Sequence, residues 1–254
     1  MSFPFQIVIP CRYGASRLPG KPLLDIGGKP LIQHAFDSSI KSKAKQVIIA
    51  TDDERIESVA RSFGADVVMT AAQHKSGTDR IAEVIELMGI SDDMIIVNVQ
   101  GDVYGLPSAL IDQVAEALHN NVDTNMSTLC EKITDVEDYD DPNVVKVISD
   151  KDGKAIYFSR AGIPWRQHLI KDHINNYPAY RHVGIYAYRA GFLKIFAKLA
   201  PSLIEMAESL EQLRAIFHGY SIQVDRACAE SGMSIDTEDD LQIARKRPSE
   251  IDIQ

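Results

Sequence analysis

The feature that most constrains the fold of this chain is the alternation of short apolar runs with longer segments of helical period across its N-terminal half. The runs that predict β-strands are Phe5–Pro10, Gln46–Ala50, Asp66–Met69 and Met94–Val99. The segments that predict helices are Pro30–Ser42, Glu54–Phe63, Thr78–Met88 and Pro107–His119. Near-continuous apolar strands separated by helices are typical of a parallel sheet covered by helices on both faces. The sequence therefore predicts an α/β fold with a Rossmann-like, doubly wound sheet.

The pattern changes after about residue 124, where antiparallel strands are predicted. Val144–Ser149 and Ala155–Ser159 flank a segment ending in Asp152-Gly153, a dipeptide typical of a hairpin turn. The later segments are a predicted strand His182–Tyr188, predicted helices Ala190–Leu199 and Leu203–His218, and a predicted strand Ser221–Val224. We therefore expect a mixed sheet that is mostly parallel.

The antiparallel strands are expected to form an arm on this sheet. Most of them fall between residues 125 and 190, and we expect this β-rich segment to protrude. The chain contains no internal repeat and no linker rich enough in proline, glycine or serine to divide it. Residues 1–254 are therefore predicted to form a single domain.

Charge and cysteine content exclude several classes of protein. The formal net charge is −9 and the acidic residues are spread along the chain, which argues against binding to nucleic acid or to a membrane surface. The three cysteines are far apart and lack CxxC spacing, so neither a disulfide framework nor a zinc site is predicted. The chain has no signal-peptide pattern and no apolar window of ~18 residues. We therefore predict a cytoplasmic protein without a membrane span.

Positive charge is nevertheless concentrated in the loop after the first predicted strand. Arg12, Arg17 and Lys21 fall within ten residues, and Gly14 and Gly20 allow a tight backbone there. Arginine can bind two phosphate oxygens and glycine exposes backbone N–H groups, so this composition favours a triphosphate site. The spacing matches neither GxxxxGK[ST] nor GxGxxG, which argues against a P-loop or a dinucleotide fingerprint. The alternative interpretation is a solvated basic turn.

Two aspartates are candidate ligands for a magnesium ion. Asp102 follows a predicted apolar strand and Gln100-Gly101, which places it at the carboxyl end of a central strand. Asp236 lies just before the last predicted helix, where Thr237 and Asp240 have the spacing of a capping box. Mg²⁺ commonly takes one or two carboxylates together with substrate phosphates and water. The alternatives are a turn residue at Asp102 and a helix-start residue at Asp236.

Two further sets of polar residues have the chemistry of ligand contacts. The string His74–Arg80 leads into a helix, so its N–H groups and the Ser76 hydroxyl are candidates for binding a base or ribose, although Ser76 could equally be only a helix cap. A sugar acid needs cations for its carboxylate and hydrogen-bonding groups for its hydroxyls. Residues of both kinds in the second half are Arg160, Arg181, His182, Glu211 and Gln212. Each alone is more often structural or solvated, and a histidine in an apolar run is typical of a protein core.

A series of strings covering essentially the whole chain resembles the CMP-Kdo synthetase family of sugar nucleotidyltransferases. The strings are Arg12–Leu23 with Ile26–Ile32, Ala50–Asp53, His74–Arg80, Val97–Asp102, Pro142–Val147, Tyr157–Arg160, Arg181–Tyr186, Ser209–Arg214 and Ile235–Thr237. Each string alone is weak, but their common order and separations make the match specific.

The resemblance implies a fold, a reaction and a set of contacts. The fold is that of the nucleotide-diphospho-sugar transferases, with residues 125–190 as a dimerisation arm and a homodimer as the assembly. The reaction is transfer of CMP from CTP to the anomeric hydroxyl of 3-deoxy-D-manno-octulosonate (Kdo), which gives CMP-Kdo and pyrophosphate for lipopolysaccharide biosynthesis. The implied Mg²⁺ ligands are Asp102 and Asp236, and the implied catalytic residues are these two with Arg17 and Lys21. The implied CTP contacts are Pro10, Arg12, Ser16, Arg17, Lys21, Ser76, Arg80 and Gln100. The implied contacts to the sugar acid are Gln100, Arg160, Arg181, His182, Tyr186, Glu211 and Gln212.

The sequence departs from the family at one informative place. The family continues Gln-Gly-Asp with Glu-Pro, whereas this chain has Val103-Tyr104 after Asp102, so the charge and shape beside the metal site differ. The alternatives left open are a related acceptor, such as 8-amino-Kdo or a sialic-type acid, and a neutral sugar phosphate. From another class, a non-catalytic nucleotide-binding regulator would keep the same fold.

Overall fold

Nine strands form one mixed sheet over the residues that the computed structural model describes, which are 3–14, 18–165 and 179–246. The strands in chain order are β1 (Phe5–Pro10), β2 (Asp25–Ile26), β3 (Lys29–Pro30), β4 (Gln46–Thr51), β5 (Asp66–Met69), β6 (Ile95–Asn98), β7 (Val103–Tyr104), β8 (Met126–Lys132), β9 (Lys146–Ser149), β10 (Ala155–Ser159), β11 (Tyr180–Arg189), β12 (Ile222–Arg226) and β13 (Met233–Ser234). The pairs β2–β3 and β7–β13 form two small separate ladders.

The α-helices of the described residues lie between these strands in the sequence, except the last, which follows β13. They are α1 (Leu31–Ile40), α2 (Glu54–Ser62), α3 (Gly77–Leu87), α4 (Ser108–Asn120), α5 (Val136–Asp140), α6 (Ala190–Phe196), α7 (Leu203–Glu208), α8 (Leu213–Phe217) and α9 (Glu238–Lys246). A short 3₁₀ helix at Lys21–Leu23 follows the loop after β1. No helix in the described part of the chain combines the length and the apolar character needed to cross a membrane.

The sheet has a parallel half and a mixed half. Strands β5, β4, β1 and β6 are neighbours in that order and run parallel. Strand β11 then pairs antiparallel with β6, β8 and β9, while β12 pairs parallel with β8. Strand β10 completes an antiparallel hairpin with β9. The predicted α/β architecture, with a mixed sheet and a β-hairpin arm, is confirmed.

The apolar sequence of the first strand explains the layered core. Successive side chains of a strand point to opposite faces of the sheet. Ile7 and Ile9 are fully buried in the cluster that contains Leu110 of α4, whereas Val8 is fully buried in the cluster that contains Ile81 of α3. A strand buried on both faces needs apolar residues at every position, which is the pattern from which the parallel sheet was predicted.

The hairpin β9–β10 occupies the middle of the predicted arm. Its turn contains Gly153 at a φ of +81°, a conformation that glycine adopts without strain. The hairpin belongs to the nine-stranded sheet, and its turn also contacts β12, since the Val224 N–H donates to the Gly153 carbonyl over 2.8 Å. Strands β8 and β11, which lie near the two ends of the range 125–190, belong to the nine-stranded sheet. The dimerisation role of this range stays a prediction, and its residues 166–178 lie outside the described residues.

The predicted helix Leu203–His218 is wrong as a single element, because it is divided into α7 and α8. Ser209 has a φ of 53°, and this left-handed conformation ends α7. The preceding residue is held on β10, where the Glu208 carboxylate accepts hydrogen bonds from the Ser159 hydroxyl over 2.7 Å and the Arg160 N–H over 2.9 Å. Tertiary hydrogen bonds therefore override the helical period of the sequence here.

A small ladder, separate from the nine-stranded sheet, brings two distant segments together. Strand β7 follows Asp102 directly, and it pairs antiparallel with β13, which precedes Asp236. The Ile235 N–H also donates to the Asp102 carbonyl over 3.0 Å. The predicted capping box follows at once and is confirmed, since the Thr237 N–H donates to the Asp240 carboxylate and the Asp240 N–H to the Thr237 hydroxyl. The ladder fixes the two aspartates next to each other.

Gly232 tests how tightly this ladder is built. A Cβ atom at this position would lie 2.1 Å from the Tyr104 carbonyl oxygen and 2.7 Å from the Gly105 carbonyl carbon, so the backbone would have to move. We expect Gly232→Ala to lower the free energy of unfolding by about 1–3 kcal/mol, as overpacking does. The measurement is urea unfolding, with Gly184→Ala as the control, since an added Cβ at Gly184 has no neighbour within 4 Å. Equal stability of the two variants would contradict this packing.

Candidate active site

A cavity of about 310 Å³ lies at the carboxyl ends of β1 and β6. The two strands run side by side and parallel, so the loops that follow them meet at one edge of the sheet. The two loops approach each other closely at Gly101, where an added Cβ would lie 3.2 Å from both the Cys11 Cβ and the Pro10 carbonyl oxygen. The residues lining the cavity are Pro10, Cys11, Arg12, Leu18, Lys21, Pro22, His74, Lys75, Ser76, Gly77, Arg80, Gln100, Gly101, Asp102 and Asp236.

Most of the predicted CTP contacts lie together in this cavity. Those that line it are Pro10, Arg12, Lys21, Ser76, Arg80 and Gln100. Ser16 and Arg17, also predicted as CTP contacts and Arg17 as catalytic, lie outside the described residues. Prediction from sequence did not single out Leu18, Pro22 or Lys75, although all three belong to strings that carry the family resemblance.

Lys21 lies between the two predicted metal ligands. Its Nζ is 2.6 Å from Asp102 Oδ2 and 3.0 Å from Asp236 Oδ1, although these partners are 81 and 215 residues away in the sequence. Burial lowers the pKa of the Lys21 ammonium, but the charges and hydrogen bonds of the two carboxylates outweigh burial and raise this pKa above its ordinary value. Lys21 is therefore charged at neutral pH.

Gly20 gives the backbone the conformation that directs Lys21 into the cavity. It has a φ of 70° and directly precedes the 3₁₀ helix that begins at Lys21. The Gly20 N–H donates to the Tyr13 carbonyl over 3.0 Å, and the Tyr13 ring lies against Gly20 at a distance of 3.1 Å from where a Cβ would be. A larger residue at this position would be strained and crowded.

The donor set beside Lys21 has the chemistry of a magnesium site. Two carboxylates lie within hydrogen-bonding distance of one ammonium, so their oxygens are close enough to share a small cation. The described residues contain no group of three or more His, Cys, Asp or Glu side chains arranged for a metal. Two carboxylates with open positions for water and phosphate oxygens match what Mg²⁺ prefers over an all-protein cage. The residues present therefore fit the predicted ion.

Helix α3 begins at the opposite wall of the same cavity. Ser76 caps it, since the Asp79 N–H donates to the Ser76 hydroxyl and the Asp79 carboxylate accepts the Ser76 N–H in return. Both interpretations of Ser76, as a cap and as a cavity residue, therefore hold together. Arg80 is only 3% exposed, with its guanidinium 3.1 Å from the Asp52 carboxylate and hydrogen-bonded to the Thr70 hydroxyl. A buried, paired arginine presents a fixed set of donors.

A second cavity of about 350 Å³ adjoins the first. Its lining consists of Gln100, Asp102, Val103, Leu106, Asn143, Val144, Val145, Arg181, His182, Val183, Gly184, Ile185, Ser231, Gly232 and Ser234. Gln100 and Asp102 line both cavities, so the two spaces meet beside the Lys21 ion pair. Val103 also faces this second cavity, whereas Tyr104 is buried, so the departure from the family motif alters the cavity wall at one position.

Only some of the predicted sugar contacts line the second cavity. Gln100, Arg181 and His182 do so. Tyr186 and Gln212 are buried, and Arg160 donates to the backbone carbonyls of Glu208 and Pro142. The roles of the residues outside the lining stay predictions.

Glu211 has one carboxylate oxygen in a hydrogen bond, while the other lies 3.9 Å from Arg214 Nη2 in an ion pair without a hydrogen bond. The Thr78 hydroxyl donates to its Oε2 over 2.7 Å, whereas the buried Oε1 has no hydrogen-bond partner among the described residues. Burial raises the pKa of this carboxyl. A buried oxygen without a donor is costly unless a ligand or water supplies one.

A β-bulge shapes the wall that holds His182. The register between β11 and β8 shifts between Val183 and Tyr186, which turns Gly184 and Ile185 toward the cavity. The Thr128 Oγ1 fills the bulge, at 2.9 Å from His182 Nε2 and 2.7 Å from the Ile185 carbonyl oxygen. A carbonyl oxygen can only accept, so the single hydroxyl proton goes to it and the His182 Nε2–H donates to Thr128. Sequence alone gave no signal for this bulge.

Comparison with known proteins gives consistent matches. Residues 6–223 match the family model described as cytidylyltransferase. The chain is 51% identical over 243 residues to the 3-deoxy-manno-octulosonate cytidylyltransferase of Cellvibrio japonicus, with 94% of this chain and 95% of the relative covered. It is also 51% identical over 246 residues to the enzyme of the same name from Idiomarina loihiensis, with 95% of this chain and 97% of the relative covered.

Solved structures give the same result at the level of fold. A CMP:2-keto-3-deoxy-manno-octonic acid synthetase complexed with CTP superposes with a TM-score of 0.88 at 38% identity, covering 96% of this chain and 98% of that one. A cytidylyltransferase from Leptospira borgpetersenii superposes with a TM-score of 0.60 at 16% identity, covering 96% and 86% of the two chains. The second match supports the fold alone.

The environment of His182 predicts its protonation state. Burial lowers the pKa of His182 to about 3, so the ring is neutral at neutral pH and contributes hydrogen bonds rather than charge. Because the unfolded chain takes up this proton at about pH 6.5, stability is complete above that pH and decreases as the pH falls toward the folded value.

We expect His182 to remain the neutral Nε2–H tautomer from about pH 8 down to about pH 5. The measurement is a long-range ¹H–¹⁵N spectrum of the histidine rings across this range, with the His182→Gln spectrum identifying the resonance. A ring that titrates near its ordinary pKa, or an Nδ1–H tautomer, would contradict the geometry around Thr128.

Proposed function

The chain belongs to the cytidylyltransferase family as one of its 3-deoxy-manno-octulosonate members, and we propose that it transfers CMP from CTP to the anomeric hydroxyl of Kdo. The products are CMP-Kdo and pyrophosphate, and the activity serves lipopolysaccharide biosynthesis. The enzyme is a nucleotidyltransferase.

The observation that carries this proposal is the junction of the two cavities at Gln100 and Asp102. A triphosphate needs the cavity that contains Arg12 and Lys21, and a sugar acid needs the one that contains Arg181 and a neutral histidine. The α-phosphorus and the anomeric hydroxyl then meet where the cavities join. Binding of CTP is supported by the related synthetase that was solved with CTP.

The reaction is an in-line displacement at the α-phosphorus. The anomeric oxygen forms the new P–O bond, the bond from the α-phosphorus to the bridging oxygen breaks, and pyrophosphate leaves with the bond electrons. The hydroxyl proton is released as the bond forms. The chain needs no covalent intermediate, because positioning and charge neutralisation account for catalysis of this kind.

Lys21 supplies positive charge where negative charge develops. Its Nζ is already held at 2.6 Å from Asp102, at the edge shared by the two cavities. Arg12 lines the same cavity and adds a second cation. The predicted contribution of Arg17 comes from a residue outside the described ranges. Preorganised cations of this kind stabilise a transition state without reorganising at the moment of reaction.

Nucleotidyltransferases typically depend on a metal ion, and we infer that the ion here is Mg²⁺. Asp102 and Asp236 would hold it, because they provide two hard oxygen ligands beside the triphosphate cavity. When bound, Mg²⁺ supplies charge neutralisation on phosphate oxygens. Lys21, which lines the same cavity, would add positive charge beside the phosphates.

The second cavity supplies groups for a sugar acid. Arg181 offers a cation for the carboxylate, and the neutral His182 leaves Nδ1 as an acceptor for a hydroxyl when Nε2 donates to Thr128. Glu211 lines neither cavity, and its place in ligand binding stays a prediction. A cytoplasmic location and a homodimer formed through the arm stay predictions, and Ile156 of the hairpin is 56% exposed and available for such a contact.

Replacement of Lys21 tests the catalytic assignment. We expect Lys21→Ala to lower turnover by at least about 100-fold, which is the usual effect of removing one preorganised donor at a transition state. Asp102→Asn, which removes a charge but keeps the size, should abolish metal-dependent turnover. The measurement is pyrophosphate release with CTP, Kdo and Mg²⁺. The control is Lys45→Ala, which replaces an exposed lysine directly before β4. Near-normal turnover of Lys21→Ala would remove Lys21 from the mechanism.

A grid of substrates tests the specificity. We expect the highest pyrophosphate release from CTP with Kdo in the presence of Mg²⁺, compared with UTP, GTP and ATP as donors. The acceptors to compare are Kdo, 8-amino-Kdo and a nine-carbon sialic-type acid, because Val103 gives the acceptor cavity an apolar wall beside Asp102. A better donor or acceptor than CTP and Kdo would revise the substrate, whereas nucleotide binding without release for any pair would indicate a regulator.

A further inference from the structure

We propose that Glu131 is a positioning residue that holds two walls of the second cavity and thereby sets the affinity for the sugar acid. This inference rests on the proposed function, because it assumes that the sugar acid occupies the second cavity. Glu131 itself does not line that cavity. It lies on β8 directly opposite Arg181 of β11, as an antiparallel cross-strand pair.

The two carboxylate oxygens of Glu131 bind two different cavity walls. Its Oε2 accepts hydrogen bonds from Arg181 Nε over 2.7 Å and from Arg181 Nη2. Its Oε1 accepts the Ser231 N–H over 2.5 Å. Arg181 and Ser231 both line the cavity, although they belong to β11 and to the segment between β12 and β13. One side chain therefore fixes the distance between these two walls.

Pairing with Glu131 holds the Arg181 side chain in one orientation. It is 39% exposed, whereas the Glu131 side chain is only 13% exposed. A long, exposed arginine otherwise samples many rotamers, and ordering it on binding costs free energy. Glu131 takes the Nε edge of the guanidinium, which leaves Nη1 available for the substrate carboxylate. The arginine is thus ordered before the ligand arrives.

The Ser231 contact extends this effect to the wall that carries the second aspartate. Ser231, Gly232 and Ser234 line the cavity, and Asp236 follows them on the same segment. The Ser234 hydroxyl donates to the Asp236 carboxylate over 3.0 Å. By binding the Ser231 N–H at the start of this segment, Glu131 therefore helps to align the acceptor cavity with Asp236.

Positioning and simple electrostatics predict opposite results at this residue. Glu131→Gln removes a negative charge beside a cavity for an anion, so charge alone would tighten binding of the sugar acid. A glutamine, however, has an NH₂ group in place of one of the two oxygens, so either Arg181 or Ser231 would face a donor instead of an acceptor. If Glu131 acts by positioning, one wall is released and binding weakens. The sign of the change in KM therefore separates the two explanations.

The experiment is steady-state pyrophosphate release with CTP, Kdo and Mg²⁺ for Glu131→Gln, Arg181→Ala and the double variant. We expect Glu131→Gln to raise the KM for Kdo about tenfold, with kcat and the KM for CTP changed less than about twofold. The double variant should resemble Arg181→Ala, because Glu131 acts largely through Arg181. The control is Glu137→Gln, which makes the same charge change at an exposed residue of α5.

Several outcomes would overturn the proposal. A lowered or unchanged KM for Kdo in Glu131→Gln, or additive effects in the double variant, would show that Glu131 does not position Arg181. If Glu131→Gln does not fold, Arg181→Lys decides, because lysine keeps the charge but loses the guanidinium edge that pairs with Glu131. A near-wild-type KM for Kdo in Arg181→Lys would then overturn the proposal. Absence of turnover in the unaltered enzyme would contradict the proposed function instead.

Discussion

The ion pair between Lys21 and the carboxylates of Asp102 and Asp236 is the interaction on which the rest of the site depends. It joins three segments that are remote in the sequence, and its three charges lie at the point where the two cavities meet. Without a ligand, the ammonium offsets the repulsion between two nearby carboxylates. All three residues line the cavity proposed for the triphosphate, so the same charges are available to a triphosphate and a cation.

The parallel sheet and one small ladder together create this arrangement. Adjacent parallel strands β1 and β6 bring the loops that carry Lys21 and Asp102 to the same edge. The β7–β13 ladder then folds the last part of the chain over that edge and adds Asp236. Neither the parallel strands nor the ladder alone would bring the three charged side chains together. This explains why a steric limit at Gly232, which lines the second cavity, matters for the geometry of the site.

The walls of the acceptor cavity depend on polar groups that lie behind them. Thr128 supports the bulge that presents His182, and Glu131 supports Arg181 and Ser231. Residues 143–145 form another wall of this cavity. Behind them, the buried Lys146 ammonium donates to the carbonyls of Asp141 over 2.7 Å and of Val144 over 2.5 Å. Buried polar groups of this kind keep the shape of a cavity, because separating a buried group from its hydrogen-bond partner costs free energy.

The fold class, the first strand and the charged residues that follow it could be predicted from the amino-acid sequence. Apolar runs such as Phe5–Pro10 predict strands because burial on both faces demands apolar residues at every position. Family strings pointed to Asp102 and Asp236 as metal ligands and to Lys21 as a phosphate contact, but not to the ion pair among them. That ion pair, the bulge behind His182, the break at Ser209 and the Glu131 contacts became visible only in the folded protein. These depend on hydrogen bonds between residues distant in the chain, and such bonds leave no periodic signal in the sequence.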